Sequence, residues 1–423
     1  MTQEQELLAQ NSPHWTRLIL AAFPALKHRN YRLFFVGQTT SLIGTWMQAV
    51  ALSWFVFELT HSVFWVSFVF ALDTLPIFFF TLPAGILADR FDKRKIFLIT
   101  QTLSMIFALL LSALAHFELA NLAFIIIIAL LLGIFHAVEM PSRQTFIFEV
   151  VGRKDASSAI ALNSGIYNAA RVIGPALSGV LITLFNIQLA FFLNGISFFA
   201  VIIALLKMRI AKKTIRIHHA HPLAQIKEGV HFAFTHKAIG IFLIVIGFNS
   251  LIPWSYHSIM PAVAKNMFGA ESAGYGFLLS AAGLGALIGA MLVSGFSERI
   301  NVAKLIGMTN IMVAVALLFF SLISSFVLAN ILMFFIGLGL ITQAALINAS
   351  IQRFSPDYIR GRVISVYSLM FLGMMPFGSF IIGALGSILG VADALRIFGM
   401  LSIFGAFVYF FFLQPKLNGE LNK

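Results

Sequence analysis

The sequence has no cysteine and few charged residues. None of its 423 residues is Cys, and Asp, Glu, Lys and Arg make up only 10%, against about 25% in a typical soluble domain. The missing thiols exclude disulfides and thiolate metal sites. The shortage of charge, with 60% hydrophobic residues and 46 Phe, excludes a water-soluble fold, because that much apolar side chain would form large exposed patches. We infer that lipid is the solvent of this chain.

Motifs for catalysis and nucleotide use are also missing. There is no phosphate-binding P-loop, so we expect no ATP-driven reaction, and there is no H-E-x-x-H zinc motif. His218, His219 and His221 could hold a metal ion weakly, but a solvated loop is the better interpretation. We therefore predict that the chain is not an enzyme and has no cofactor and no resident metal.

Twelve apolar runs are long enough to cross a bilayer, which takes about 20 residues. Because several runs are tightly joined, eleven or thirteen spans remain open. The pattern predicts an all-α membrane protein of two pseudo-symmetric six-helix bundles, 31–207 and 238–413. The runs are 31–58, 64–88, 94–115, 121–140, 158–184, 187–207, 238–264, 272–297, 303–326, 328–350, 361–389 and 392–413.

The polar segments set the orientation in the membrane. The N-terminal tail 1–30 lacks the apolar core of a signal peptide, and the linker 208–237 carries an amphipathic stretch, 222–234, predicted to lie on the membrane surface. With the tail, the linker and the C-terminal tail 414–423 in the cytoplasm, 25 of the 28 Lys and Arg fall on the inner side. The positive-inside rule therefore predicts cytoplasmic termini. The net charge of +12 is explained by topology and anionic lipid, without nucleic acid.

A faint repeat relates the two bundles. Gly85 and Gly295 each end a span before a charged loop, 210 residues apart, and Arg143 and Arg353 have the same separation. Two related halves are typical of a carrier whose binding site lies between them at mid-membrane. Twin halves also make a monomer sufficient.

The loop after the second span carries a recognisable motif. Residues 85–95 read G-I-L-A-D-R-F-D-K-R-K, which resembles the signature loop of the major facilitator superfamily except for Asp92 in place of Gly. Asp89 could accept hydrogen bonds from a helix N-terminus and from Arg90 or Arg94. Such a latch would hold the halves together on the inner side. Alternatively, these charges only set the topology.

The fifth span carries a second motif. Residues 170–179 read A-R-V-I-G-P-A-L-S-G and resemble the antiporter signature g-x-x-x-G-P-x-x-G-G, with Ala170 and Ser178 in place of glycines. A proline removes a backbone donor, and small residues allow close helix approach. In the superfamily this motif goes with export, although small residues are also common in ordinary helix packing. The matching positions are Gly174, Pro175 and Gly179.

Two further stretches narrow the resemblance. Residues 140–144 and 357–365 make the chain similar to the branch of bacterial siderophore exporters of the enterobactin-exporter type and related drug exporters. The resemblance implies the major facilitator fold in the bacterial inner membrane and proton-driven export. The fourth span lacks the mid-helix Arg of many drug/proton antiporters, so their proton relay is not carried over.

Two charges lie near the predicted centre of the membrane, Asp73 in the second span and Arg171 in the fifth. Intramembrane charges are costly and therefore often functional. Asp73 could carry the coupling proton, with Arg171 nearby, or the two could form a static ion pair, or they could be apart. His136 and Glu139 share a face of the fourth span and are further proton candidates, although a local Glu139–Arg143 pair would explain Glu139.

Polar and aromatic residues in the spans supply candidates for substrate contact. In the superfamily, spans one, four, seven and ten line the cavity, and Trp rings suit a ring-bearing or cationic ligand. Hydrogen bonding between helices is the competing explanation for each polar residue. The candidates are Gln38, Trp46, Gln48, Asn249, Trp254, His257 and Gln343.

These observations predict a proton-coupled exporter of an amphipathic organic compound, a siderophore or a drug-like molecule. Its expected partners are the lipid bilayer, the transported molecule and protons. The alternatives are an importer of a siderophore or nutrient with the same fold, and a lipid-handling or regulatory membrane protein without ion coupling.

Overall fold

A computed structural model of the chain describes residues 20–209, 222–295, 301–356 and 358–421. Within these ranges twelve helices are long and apolar enough to cross a membrane, which confirms the predicted fold class. In chain order they are α1 Arg29–Thr60, α2 Val63–Arg90, α3 Lys93–His116, α4 Leu122–Gly152, α5 Lys154–Leu184, α6 Ile187–Lys207, α7 Lys237–Phe268, α8 Ser272–Gly295, α9 Val302–Phe320, α10 Phe326–Phe354, α11 Arg360–Leu389 and α12 Val391–Glu420.

Short turns join many of these helices, and a polar side chain in the turn often caps the helix that follows. Asp92 Oδ1 accepts hydrogen bonds from the backbone N–H groups of Arg94, at 2.9 Å, and Lys95, at 3.3 Å, where α3 begins. Such a cap contributes about 1 kcal/mol. Asp92 has a φ of −64°, so this position does not require glycine. The cap explains why Asp replaces the Gly of the signature loop.

The connection between α4 and α5 differs from the sequence prediction of a loop over 141–157. The helical run Leu122–Leu184 is 63 residues long and has non-helical torsions at Gly152, where φ is 74°. Glycine adopts this φ without steric cost. Arg143 and the residues around it therefore extend α4. Polar residues ended the apolar run at the membrane edge without ending the helix.

Two of the spans are broken near their middle. α7 consists of a helix Lys237–Leu251, a 3-10 segment Pro253–Ile259 and a helix Met260–Phe268. α11 divides into Arg360–Gly373 and Met375–Leu389. Pro253 and Pro376 lie in the first turn of the piece that follows each break, where a missing backbone N–H costs nothing.

The linker between the halves, α1–α6 and α7–α12, contains a helix at Pro222–Thr235. It packs on the predicted inner end of α11, where Glu228 forms an ion pair with Arg362. Ala233 is fully buried there, whereas Phe234 is 49% exposed. The predicted helix is therefore present, with Ala233 against the protein and Phe234 on the exposed side. Its place on the membrane surface stays a prediction.

Candidate functional site

A small cavity lies between the halves near the middle of the helices. Trp46 on α1 and Arg171 and Pro175 on α5 form one side of it. The opposite side is formed by the 3-10 segment of α7 together with α8 and α10, through Trp254, Tyr256, His257, Leu279, Gly283 and Gly337. The sequence predicted cavity positions for Trp46, Trp254 and His257, and the structure brings these three together.

Arg171 is the charged residue of this cavity. Its guanidinium carbon lies 5.2 Å from the ring centroid of Trp46 and 5.4 Å from that of Tyr167. Both rings present a negative face to a cation. The Nε and Nη1 atoms of Arg171 are buried and have no hydrogen-bond partner in the described part of the chain. The positively charged guanidinium therefore lies between two aromatic rings, and its Nε and Nη1 donors are unused.

The wall formed by α7 is aromatic. Trp254 and His257 lie three residues apart, and in a 3-10 helix such residues lie on one edge. Their rings are stacked at 6.3 Å between centroids and 15° between planes. Phe371 of α11 supports Trp254 from behind at 5.5 Å. The broken helix thus presents a flat, rigid face to the cavity.

α5 and α8 meet through backbone contacts from Arg171 toward the predicted outer end. Pro175 has no N–H, so the Arg171 carbonyl loses its intrahelical donor, and a Cβ on Gly283 would lie 2.8 Å from that oxygen. The next carbonyl, that of Val172, accepts a 2.7 Å hydrogen bond from the Ser280 hydroxyl.

We call this contact between α5 and α8 the α5–α8 seam. Its antiporter-like residues leave no room for side chains, because a Cβ on Gly179 would lie 2.5 Å from the Ser272 carbonyl oxygen.

α2 and α11 meet through rings. Phe64 and Phe68 of α2 pack against Phe380 of α11, with ring centroids 5.7 and 6.4 Å apart. Nearer the predicted inner side, Phe78 packs against Phe377 at 5.5 Å, and a Cβ on Gly373 would lie 2.7 Å from the Phe78 ring. We call this contact the α2–α11 seam. Together the two seams close the outer half of the protein.

The predicted inner half of α5 separates from α8. A Cβ on Gly165 would have no atom within 4 Å, and Ser157, Ala161 and Ser164 are exposed on the same side of the helix. Small and polar residues repeating every three or four positions share one face, and such a face is suited to water rather than to acyl chains. In the described part of the chain, α5 therefore contacts α8 in the outer half and presents a face suited to water in the inner half.

The structure places Asp73 beside His136 rather than beside Arg171. α2 and α4 cross closely here, because a Cβ on Gly133 would collide with the Asp73 carbonyl, and the His136 imidazole lies close enough to interact electrostatically with the Asp73 carboxyl. Asp73 and Arg171 are not within ion-pair distance of each other. The static Asp73–Arg171 pair allowed by the sequence is absent from this conformation.

Glu139 has the local partner that the sequence suggested. Its carboxylate lies 3.3 Å from the Arg143 guanidinium, one helical turn further along α4. The α4 helix continues through Pro141, which preserves the spacing of the pair. This contact accounts for Glu139 without a proton-carrying role, and His136 is the neighbour of Asp73.

Several polar residues predicted to contact substrate are instead used between helices. Asn194 of α6 donates a 2.7 Å hydrogen bond to Gln48 of α1. Asn249 of α7 and Gln343 of α10 both donate to Asn310 of α9, at 3.1 and 2.7 Å. These side chains are almost fully buried, so the cavity roles predicted for Gln48, Asn249 and Gln343 are corrected to helix packing. Gln38 is 1% exposed and is not a lining residue.

The predicted inner latch falls largely outside the described side chains. For Gly85, Asp89 and Arg90 the structure describes only the helical backbone of α2, and the histidines at 218–221 lie outside the described residues. Arg94 donates a 3.1 Å hydrogen bond to the Leu206 carbonyl at the end of α6. Arg94 therefore joins two helices of the same half.

Sequence reasoning missed Tyr167, Tyr256 and Asn310. Tyr167 lies four residues before Arg171, and this spacing on a helix would have placed its ring beside the guanidinium. Tyr256 lies between Trp254 and His257, but the 3-10 segment that brings it to the cavity follows from a break in α7 with a weak sequence signal. No sequence signal distinguished Asn310 from other polar residues of the spans.

Comparison with known proteins gives consistent matches over the whole length. A profile of the transmembrane secretion effector family matches residues 20–422. The staphyloferrin A transporter of Staphylococcus aureus (strain NCTC 8325 / PS 47) is 28% identical over 400 residues, which cover 93% of this chain and 98% of that protein. The enterobactin exporter EntS of Escherichia coli O1:K1 / APEC is 22% identical over 362 residues, 86% of each chain.

Solved structures agree on the fold. The nucleoside transporter NupG matches with a TM-score of 0.74 over 90% of this chain and 98% of that chain. Its sequence is only 10% identical, so the likeness concerns the arrangement of helices.

Proposed function

The chain belongs to the transmembrane secretion effector family of the major facilitator superfamily, and from this premise we propose that it exports an amphipathic organic compound in exchange for protons. As a member of this family it is a multi-pass membrane transporter. We place it in the bacterial inner membrane, with both termini cytoplasmic and a single chain as the working unit.

The observation that carries this proposal is the cavity between the halves. It lies at mid-membrane, its outer side is covered by the two seams, and the inner half of α5 leaves a water-accessible face. A compound arriving from the cytoplasm can enter this conformation. Separation of the seams, with closure of the inner side, would release the compound outward by alternating access.

Two features favour export driven by protons. Pro175 and Gly179 of the antiporter-like motif lie in the α5–α8 seam, whereas Gly174 packs against α1. The enterobactin exporter is among the relatives. Asp73 and His136 lie close enough inside the membrane to interact electrostatically, and ionisable groups in such positions commonly serve proton transfer. We propose that Asp73 takes up the proton from outside and releases it inside, with His136 as its neighbour.

The test is transport by the purified protein in liposomes whose interior is more acidic than the bath. An internal pH dye reports proton movement while enterobactin or staphyloferrin A is added to the bath. In molecules inserted inside-out, the cytoplasmic side faces the bath. Antiport through these molecules brings substrate into the liposome and moves protons out, so the interior becomes more alkaline. Further acidification with entry would favour the importer, and movement without any pH response would favour a carrier without ion coupling.

Asp73→Asn supplies the residue-level prediction. We expect it to insert normally and to lose the substrate-dependent pH change, because the amide cannot carry the proton. Asp393→Asn is the matched control, since Asp393 lies at the outer end of α12, paired with Arg396, and should keep the pH change. Proton exchange that persists in Asp73→Asn would contradict the assignment.

A further inference from the structure

Arg171 brings a positive charge to the cavity without an acid to balance it. In the described part of the chain no carboxylate lies within ion-pair distance of its guanidinium. The faces of Trp46 and Tyr167 offset part of the cost of the charge. They leave the N–H groups at Nε and Nη1 without acceptors, although buried donors are normally satisfied.

The rest of the cavity also offers donors. The indole Nε1 of Trp254 is buried and has no hydrogen-bond partner in the described residues, and an indole nitrogen can only donate. Tyr256 and His257 lie close enough to Arg171 to interact with its charge. No Asp or Glu is among the described residues that line the cavity.

The remaining lining is apolar. Leu279, Leu340 and Ile341 face the same space as the two Trp rings. A ligand that satisfies this set has an acceptor bearing negative charge at one end and a ring or hydrocarbon body at the other. A cationic ligand would meet the like charge of Arg171 without a counter-ion.

We propose that the cavity binds an organic anion carrying a carboxylate and an apolar body. The carboxylate accepts charge-assisted hydrogen bonds from Arg171, and the body lies between Trp46 and Trp254. Binding of the anion does not depend on the proposed function. Only the statement that the bound anion is the transported compound rests on it.

The test compares three ligands that differ only in charge. Phenylacetate, phenylacetamide and phenethylamine share a ring and a short chain and carry negative, zero and positive charge. Binding is followed through Trp fluorescence in phosphatidylcholine nanodiscs, because Trp46 and Trp254 line the cavity. We expect phenylacetate to bind at least about tenfold more tightly than the other two, the gain typical of a hydrogen bond to a charged group. Equal binding, or preference for the amine, would overturn the proposal.

Variants assign the preference to one residue. Arg171→Gln should bring the phenylacetate affinity down to that of phenylacetamide while leaving phenylacetamide binding unchanged, which also shows that the cavity is intact. Arg171→Lys should keep part of the preference. Arg396→Gln, at the outer end of α12, is the matched control and should bind like the unmodified protein. A preference that survives in Arg171→Gln contradicts the proposal, and the ligand order in the unmodified protein tests it even if this variant fails to fold.

A lipid phosphate could supply the same chemistry, and phosphatidylglycerol nanodiscs separate the two sources. If a lipid headgroup is the ligand, phenylacetate binding should weaken at least about tenfold there, which would overturn the assignment to a soluble anion. Unchanged binding supports that assignment. The binding experiment in nanodiscs uses no proton gradient, so it tests anion binding separately from transport. If the anion binds in nanodiscs but no proton exchange is seen in liposomes, only the proposed export is contradicted.

Discussion

The two seams that close the outer half of the transporter differ in the kind of atoms that are in contact. In the α5–α8 seam, glycine and serine bring backbone against backbone, with hydrogen bonds from Ser280 to the Val172 carbonyl and between Thr183 and Ser272. In the α2–α11 seam, Phe rings pack with centroids 5.5 to 6.4 Å apart. Backbone contacts of the first kind fit in one register only. Ring contacts remain favourable over a range of distances and tilts.

This difference suggests a division of labour during alternating access. The α5–α8 seam is either made or broken, because a small shift removes its hydrogen bonds and brings carbonyl oxygens against Cα atoms. The ring contacts of the α2–α11 seam can persist through a change of tilt, and the close contact of this seam is at Gly383, where a Cβ would lie 2.3 Å from the Ser67 side chain. Changes to the α5–α8 seam should therefore affect transport more strongly than changes of similar size in the α2–α11 seam.

A covalent link across the α5–α8 seam should have the largest effect. The hydroxyl oxygens of Thr183 and Ser272 lie 2.9 Å apart, so Thr183→Cys with Ser272→Cys brings two thiols within disulfide reach. The chain has no other Cys. We expect oxidation to abolish the substrate-dependent pH change in liposomes, because the outer side cannot open, and a reductant to restore it. Each single variant should be insensitive to oxidation, and transport by the linked protein would show that this seam does not open.

Bulk at the centre of the same seam should come next. A Cβ on Gly276 would collide with the Pro175 carbonyl, so Gly276→Val should force α5 and α8 apart. We expect transport to fall by about tenfold, equivalent to about 1.4 kcal/mol. A membrane-impermeant maleimide should also react faster from outside with a Thr183→Cys reporter. Gly419→Val, where a Cβ would have no atom within 4 Å, is the control. An unchanged labelling rate would mean that the seam can accommodate the side chain.

Loss of a ring from the α2–α11 seam should have the smallest effect. Phe380 is already 47% exposed, and Phe380→Ala removes two ring contacts worth about 1 kcal/mol each. We expect a lower thermal unfolding temperature in detergent and a transport rate within about threefold of the unmodified protein, since neighbouring rings keep the helices together. A loss as large as that of Gly276→Val would remove the distinction between the seams.

The sequence was sufficient for the fold because membrane spans depend on features that are visible along the chain. Apolar length identified twelve helices, most of them within a few residues of their ends. The orientation indicated by Lys and Arg stays a prediction. The loop predicted between α4 and α5 was wrong because apolarity marks the membrane and not the helix, and the helix of α4 continues past its apolar part to Gly152.

The candidate site was only partly predictable. The structure brings Trp46, Trp254 and His257 to the cavity, and their contact with substrate stays a prediction. Gln48, Asn249 and Gln343 were misplaced because an amide looks the same in sequence whether it faces a cavity or another amide, and only packing shows that Asn194 and Asn310 are their partners. The neighbour of Asp73 could not be chosen for the same reason, since depth in the membrane does not reveal which faces meet.

The single non-helical residue between α4 and α5 has a mechanical consequence. α4 carries His136 near Asp73, and α5 carries Arg171, and the two helices join directly at Gly152, where the torsions are non-helical. With so short a hinge, a tilt of α4 would be passed to the inner end of α5. If Asp73 carries the proton as proposed, this junction would couple proton uptake to the width of the predicted inner entrance, without a flexible loop to absorb the motion.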